Sequence, residues 1–174
     1  MSMDLIAFIF FGFTILERIV ELVVSKQNQA WSFARGGVEY GESHYKWMVL
    51  MHAGFLLTML GEFFSFQSII SNSVRMVAIF IAAICQLFRW WIIKTLGPQW
   101  NTRVIIVPGL SRITAGPYRY LKHPNYLVVA VETFVLPLIF GSWRTAVIFS
   151  VLNAFMMRVR IRVENDALNG LRST

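Results

Sequence analysis

The spacing of apolar residues constrains this chain more than any motif in it. Three runs, Asp4 to Val24, Trp47 to Phe66 and Val74 to Leu96, are long enough to cross a ~30 Å hydrocarbon layer at ~1.5 Å per helical residue. Two more, Tyr126 to Phe140 and Thr145 to Met157, are joined by Gly141-Ser142-Trp143-Arg144. Both fall short of the usual ~20 residues. They cross when tilted or in a thinned bilayer, or they form a hairpin that dips and returns. Charged residues make up only 14% of the chain, against about 25% in a soluble domain. The sequence therefore predicts an all-α integral membrane protein of about five transmembrane helices. Its 174 residues suit a single domain, 1–174. Met-Ser-Met-Asp at the start lacks the basic region and cleavage site of a signal peptide, so the first run is expected to remain as a helix.

A net charge of +7 would suggest nucleic acid on a soluble chain. Here the cations flank the apolar runs, so lipid and topology explain them, and nucleic acid is not an expected partner. With five spans, Lys26, Arg35, Lys46, Lys94, Arg103, Arg112, Arg119, Lys122, Arg158, Arg160, Arg162 and Arg172 fall on one side, and Arg75 and Arg144 on the other. The positive-inside rule puts the first side, with the long third loop and the C-terminus, in the cytoplasm. Cys85 is alone, and His44, His52 and His123 have no metal-ligand spacing, so neither a disulfide nor a metal site is expected. No internal repeat or matched pair of broken helices suggests a transporter.

Several polar groups interrupt the apolar runs. Glu17, Arg18 and Glu21 close the first, where charges snorkel to the interface. Lys26 to Lys46 reads as a polar loop turning at Gly36-Gly37. The second run holds His52, which is expected to bond a neighbouring helix, and Glu62. Arg89 allows two readings, a snorkelling cation between tryptophans or a guanidinium aimed into the bundle to hold an oxyanion. Glu132 is a candidate for a polar group facing the bundle.

The least connector-like stretch is Gly116 to Tyr126, GPYRYLKHPNY. Pro117 and Pro124 argue against a regular helix. Its tyrosines, Arg119, Lys122, His123 and Asn125 offer more hydrogen bonding than a turn needs. From the residues alone it is either an interfacial belt or a ligand site. The connection from Gly97 is long enough to suggest function, and its β-branched Thr102 to Val107 would lie in the interface or form an extended lid. Beyond Met157 the last helix emerges with Arg158, Arg162 and Asp166 on one face and Arg160–Glu164 as a separate i,i+4 pair.

Taken together, LGPQWNTRV, GPYRYLKHPNY, a two-helix hairpin and RIRVENDAL resemble the isoprenylcysteine carboxyl methyltransferase family, over roughly Arg89 to Leu168. The earlier ERIVELVVSKQNQAW and GESHYKWMVLMH look like its small bacterial members. The resemblance implies a membrane methyltransferase using S-adenosylmethionine, with its cofactor-binding half at about 89–170. Carried over by motif, the cofactor residues would be His123, Pro124, Tyr126 and Glu164, with Tyr118 and Arg119 beside them. Arg89 matches the arginine implicated in holding the acceptor carboxylate. Lys122 replaces the arginine usual before His-Pro and cannot make its bidentate fork; Glu164-Asn165 replaces a paired Glu-Glu.

The chemistry suits these residues. A carboxylate such as Glu164 matches the cofactor's ammonium, His123 or Arg119 its carboxylate, and tyrosines its adenine and ribose. No G-x-G-x-x-G is present, so a Rossmann-type site is excluded. Methyl transfer is an in-line displacement governed by positioning. Arg89 would fix an acceptor oxyanion, and Glu132 would orient Arg89 or act on a protonated acceptor. The expected acceptor is a lipophilic acid or acidic enol, either isoprenylcysteine-like or a small lipid such as an alkylpyrone, entering from the bilayer. Two other readings stand beside this one: a nicotinamide-dependent reductase of sterol-reductase type, and a non-catalytic module binding lipid or a partner.

Overall fold

In the computed structural model, which describes residues 2–170, the apolar runs become five α-helices: α1 (Met3–Phe33), α2 (Glu42–Ser65), α3 (Asn72–Leu96), α4 (Pro124–Phe140) and α5 (Trp143–Gly170). Arg172 of the charge count lies outside the described residues. Two helices, α2 and α3 continued to Gln99, are long and apolar enough to cross a membrane. α4 is apolar but has only 17 residues. Leu57, Phe64 and Leu87 are each 73% exposed. Such large side chains standing outward together suit contact with lipid.

The first helix departs from expectation. The stretch from Lys26, read as loop, continues α1 to Phe33. It lacks Pro and Gly until Gly36, and its polar side chains bond other elements. Asn28 Nδ2 donates to the carbonyls of Gly97 (3.2 Å) and Trp100 (2.7 Å), and Ser25 Oγ meets Thr102 Oγ1 at 2.9 Å. Glu17, Arg18 and Glu21 consequently stand in mid-helix, with Glu17 and Glu21 buried. They do not snorkel from a helix end.

The long connection is braced as well. β1 (Val38–Tyr40) pairs antiparallel with β2 (Val104–Ile106), Glu39 opposite Ile105, so the β-branched stretch is extended as one alternative had it. Arg103 clamps the ribbon by holding Glu39 at 2.9 and 3.0 Å. Within GPYRYLKHPNY, residues 116–119 form a 3-10 turn, while Pro124 opens α4. Pro is tolerated at the first position of a helix, where its missing N–H would be unpaired in any case. It therefore starts a helix here; the expectation that both prolines keep the whole stretch irregular fails at Pro124.

At the far end of the bundle α4 stops in a Schellman-type turn. Gly141 takes φ 77°, and the N–H groups of Gly141 and Ser142 bond the carbonyls of Leu138 (3.0 Å) and Pro137 (2.9 Å). Glu62, from the last turn of α2, then satisfies the start of α5. It accepts from Arg144 N (3.1 Å), Thr145 N (2.8 Å) and Thr145 Oγ1 (2.7 Å). Arg75 reaches from α3 to the Ile139 carbonyl (2.8 Å) and to Asp4 of α1 (2.6 Å).

The core forms two apolar layers. Phe55, Met59, Ala78, Ala82, Leu136 and Phe140 fill the layer near this end. Cys85, Ile92, Ile93, Trp100 and Val128 fill the other. Glu132 on α4 falls between them along the chain, while Gln86 and Arg89 on α3 lie among the residues of the second layer.

Candidate functional site

A cavity of about 670 Å³ opens at the end opposite Glu62 and Arg75. The β-ribbon, the Gly97–Tyr126 connection and the distal part of α5 wall it, with Ser32 of α1 at its edge. Its volume falls in the range of small-molecule sites, roughly 300–1,000 Å³. Three of its side chains converge from two helices: Tyr126 Oη donates to Glu164 Oε2 at 2.6 Å, and His123 Nδ1 lies 3.5 Å from Glu164 Oε1.

Local structure explains the convergence. His123 precedes Pro124 with φ −135° and ψ 65°, outside the helical region that proline disfavours in the residue before it. Tyr126 follows three residues later, one turn into α4. Glu164 stands on the part of α5 beyond its apolar length. Burial pushes the Glu164 carboxyl up, but the hydrogen bonds from His123 and Tyr126 outweigh it and leave it below its ordinary value. Burial, aided by the Glu164 carboxylate, pushes the Tyr118 phenol up, so it stays a neutral donor.

Other polar atoms at this end remain without partners although buried: His123 Nε2, Asn125 Oδ1, Asn101 Oδ1, Trp100 Nε1 and Arg160 Nε. Buried polar atoms in proteins are normally satisfied, so a group of them on residues that line one cavity calls for an explanation. A ligand with both donors and acceptors would supply their partners.

The structure distributes the sequence candidates unevenly. Tyr118, His123, Tyr126 and Glu164 line the cavity. Pro124 is fully buried at the start of α4. Arg119 is exposed, its guanidinium 5.9 Å from the Tyr120 ring, and is not among the cavity-lining residues. Arg160 and Asn165 line the cavity although neither was singled out as a ligand residue. The expected Arg160–Glu164 pair is replaced: Glu164 turns to Tyr126 and His123, and Arg160 Nη2 bonds the Thr102 carbonyl at 2.8 Å. A surface i,i+4 reading could not anticipate that both residues face inward.

Arg89 and Glu132 lie deeper. Arg89 is seven residues before the cavity residue Leu96 and Glu132 six after Tyr126, roughly 10 Å along each helix. Arg89 is 4% exposed, which settles its two readings in favour of the bundle interior. It bonds Glu132 directly, and its Nε lies 3.6 Å from Glu21. α1 contributes the rest: Arg18 holds Glu21 at 2.8 Å and Gln86 at 2.7 Å and lies 3.7 Å from Glu132, while Trp90 donates to Glu17 at 2.8 Å. Glu17, Arg18 and Glu21 are thus part of one buried ionic layer with Arg89 and Glu132. The i, i+3 and i, i+4 spacing of the three was visible; the extra helical turns that bury them were not. His52 bonds the Met48 carbonyl of its own helix at 2.8 Å, not a neighbouring helix as expected.

Comparison with known proteins gives this geometry a context. Residues 76–170 match the isoprenylcysteine carboxyl methyltransferase (ICMT) family. The chain is 37% identical over 154 residues to "Uncharacterized protein YpbQ" of Bacillus subtilis (strain 168), covering 88% of this chain and 91% of that one. It is 26% identical over 157 residues to an "Uncharacterized protein" of Haemophilus influenzae, covering 88% and 90%.

Proposed function

The chain belongs to the isoprenylcysteine carboxyl methyltransferase family, and from that premise we propose that it is a membrane O-methyltransferase whose cavity takes S-adenosylmethionine and whose acceptor is lipophilic. The observation that carries the assignment is the Tyr126–Glu164–His123 constellation at a cavity whose lining residues also carry unpartnered polar atoms. The donor set fits the cofactor. Glu164, anionic at neutral pH, matches an ammonium; Asn125 Oδ1 and Asn101 Oδ1 accept from hydroxyl or amine groups; Trp100 Nε1 and Arg160 Nε donate to a carboxylate. His123 turns Nδ1 to Glu164 and leaves Nε2 for a second partner. The cofactor supplies an electrophilic methyl group; this chain supplies position.

Tyr126 and His123 hold Glu164 by hydrogen bonds, so the carboxylate needs little reorganisation when a cation arrives. Ile92 and Val128, fully buried, lie along α3 and α4 between the cavity residues and the pair Arg89 and Glu132, the groups assigned to the acceptor. The cations gathered at the cavity end, against Arg75 and Arg144 at the other, support a cytoplasmic cofactor entrance, and an acceptor with an alkyl tail reaches the ionic layer from the bilayer.

The test is calorimetric binding of S-adenosylhomocysteine to detergent-purified protein, beside Glu164→Ala and His123→Ala. Saturable binding weakened by both substitutions is expected. Folded wild type that binds a reduced nicotinamide dinucleotide but not S-adenosylhomocysteine would overturn the assignment in favour of a reductase.

A further inference from the structure

The cavity uses only part of the GPYRYLKHPNY segment. Tyr118, His123 and Tyr126 line it, while Arg119, Tyr120 and Leu121 do not. These three are exposed, with the Arg119 guanidinium 5.9 Å from the Tyr120 ring. A cation beside an exposed tyrosine is the pairing found where a membrane protein meets lipid headgroups.

α3 sets the depth of that turn. Phe80, Ile84, Leu87 and Trp91 are all exposed, and their i, i+4, i+7, i+11 spacing puts them in one outward stripe. The helix that carries them is long and apolar enough to cross a membrane. The stripe ends in tryptophan, and one turn on Lys94 is exposed. Apolar side chains, then tryptophan, then a cation mark the passage from hydrocarbon to headgroups. Gly116 opens its turn against Trp91 and Thr95, so Arg119 and Tyr120 are carried at the level of that passage.

Charge defines which headgroup fits. No Asp or Glu occurs between Glu62 and Glu132, so neither α3 nor the connection after it carries a carboxylate. Among the described residues, Lys94 and Arg119 join no ion pair. A zwitterionic headgroup brings an ammonium that these elements cannot answer. An anionic one brings a phosphate alone, which suits two cations.

We infer that the outer face of α3 and the turn at Gly116–Arg119 form a site for one anionic phospholipid. An acyl chain lies along Phe80, Ile84 and Leu87, and the phosphate sits between Lys94 and Arg119 above the Trp91 ring. The lipid is held and not consumed. Trp91, Lys94, Arg119 and Tyr120 do not line the cavity, so the site stands apart from the methyltransferase reading. A phosphate held by both cations fastens the turn to α3, and the same turn presents Tyr118 to the cavity.

The experiment reconstitutes the full chain in phosphatidylcholine vesicles. Phosphatidylglycerol or phosphatidylcholine, each brominated near the ester end of its chains, is then titrated in as a quencher. The difference between wild type and Trp91→Phe isolates the fluorescence of Trp91. Brominated phosphatidylglycerol should be preferred there at least about fivefold, the worth of one cation toward an anionic lipid surface. Lys94→Gln/Arg119→Gln should bring the two lipids within about twofold of each other. Arg35→Gln/Lys46→Gln removes the same charge from exposed cations elsewhere on the chain and should leave the preference in place. Equal quenching by both lipids in wild type overturns the site, as does an equal loss in both double variants, which would reflect net charge alone. Abolition of the preference by inorganic phosphate at matched ionic strength would reassign the patch to a free anion and overturn the lipid. Native mass spectrometry of phosphatidylglycerol retained by wild type and by Lys94→Gln/Arg119→Gln reads the same prediction without Trp91→Phe.

Discussion

The two ends of the bundle use similar side chains for opposite ends. At the Glu62 end, two carboxylates, two arginines and two hydroxyl residues bond backbone groups and one another. None of the partnerless buried side-chain atoms among the described residues belongs to these groups. At the His123 end, histidine, asparagine, tryptophan and arginine atoms remain partnerless around a cavity. The contrast teaches that polar composition alone does not mark a site in a membrane protein. What marks it is hydrogen-bonding capacity left over after the fold has used what it needs.

The largest effect expected from this contrast is at the closed end. Glu62→Ala removes the acceptor for three donors, two of them on the first backbone amides of α5. Loss of a charged cap that leaves buried donors unpaired should cost about 3 kcal/mol. The folded fraction should bind S-adenosylhomocysteine unchanged. Thermal unfolding in detergent beside calorimetry checks both halves, and an affinity loss with intact stability would break the comparison.

At the open end the pattern should invert. Glu164→Ala removes a charged hydrogen-bond partner, an effect of about 1.5–3 kcal/mol on the ligand if the contact is made, read as at least a tenfold weaker S-adenosylhomocysteine Kd. Stability should change less than in Glu62→Ala, because Glu164 accepts from two side chains and not from the backbone amides that start a helix. A variant that loses stability and keeps its affinity would make the two ends alike.

Acid titration sharpens the same point with a smaller effect. Hydrogen bonds hold the Glu164 carboxyl below its ordinary value of 4.5. Its stabilisation is complete above 4.5 and is lost as pH falls through the lower folded value. Between neutrality and pH 4.5 this group should contribute no change. Below that, wild type should lose more stability than Glu164→Gln, which has no such charge to lose. Parallel urea melts of the two proteins across that window make the comparison; coincident acid profiles would mean the Tyr126 and His123 contacts do not favour the ionised form.

Much of this arrangement was legible in sequence because it depends on local chemistry. The α3 boundary follows from a long apolar run started by Ser71, whose side chain caps Val74 N at 3.4 Å, and stopped by Gly97-Pro98. The His-Pro-Asn-Tyr segment stood out because its polar residues had no local use. Arg160 was misread for the opposite reason: a plausible i,i+4 partner at Glu164 gave it an apparent local use. The length of α1 was hidden because Lys26 to Phe33 carries no helix breaker and no apolar stripe either. Its helical state is secured by Asn28 and Ser25 contacts with residues about seventy positions away. The ionic layer was illegible for the same reason, since Glu17 and Glu21 join Arg89 and Glu132 only when α1 is a helix through that depth.

The smallest expected effect tests whether the open end is preformed. Family resemblance points to Arg119 as a cofactor residue, yet its guanidinium lies over Tyr120, itself 76% exposed. The turn that carries it is fixed from behind. Gly116 takes φ 53° in a space where an added Cβ would lie 2.7 Å from Thr95 Oγ1 and 3.2 Å from Trp91 Nε1 of α3, so the turn sits tightly against that helix. Arg119→Ala should therefore leave S-adenosylhomocysteine affinity within about twofold, the range of an ordinary surface change of ~0.5 kcal/mol. A loss as large as that of Glu164→Ala would require residues 116–119 to swing inward with the ligand. The leftover hydrogen-bonding capacity at His123 and Asn125 would then belong to an open state of the site, and the open end would differ from the closed end in mobility as well as in chemistry.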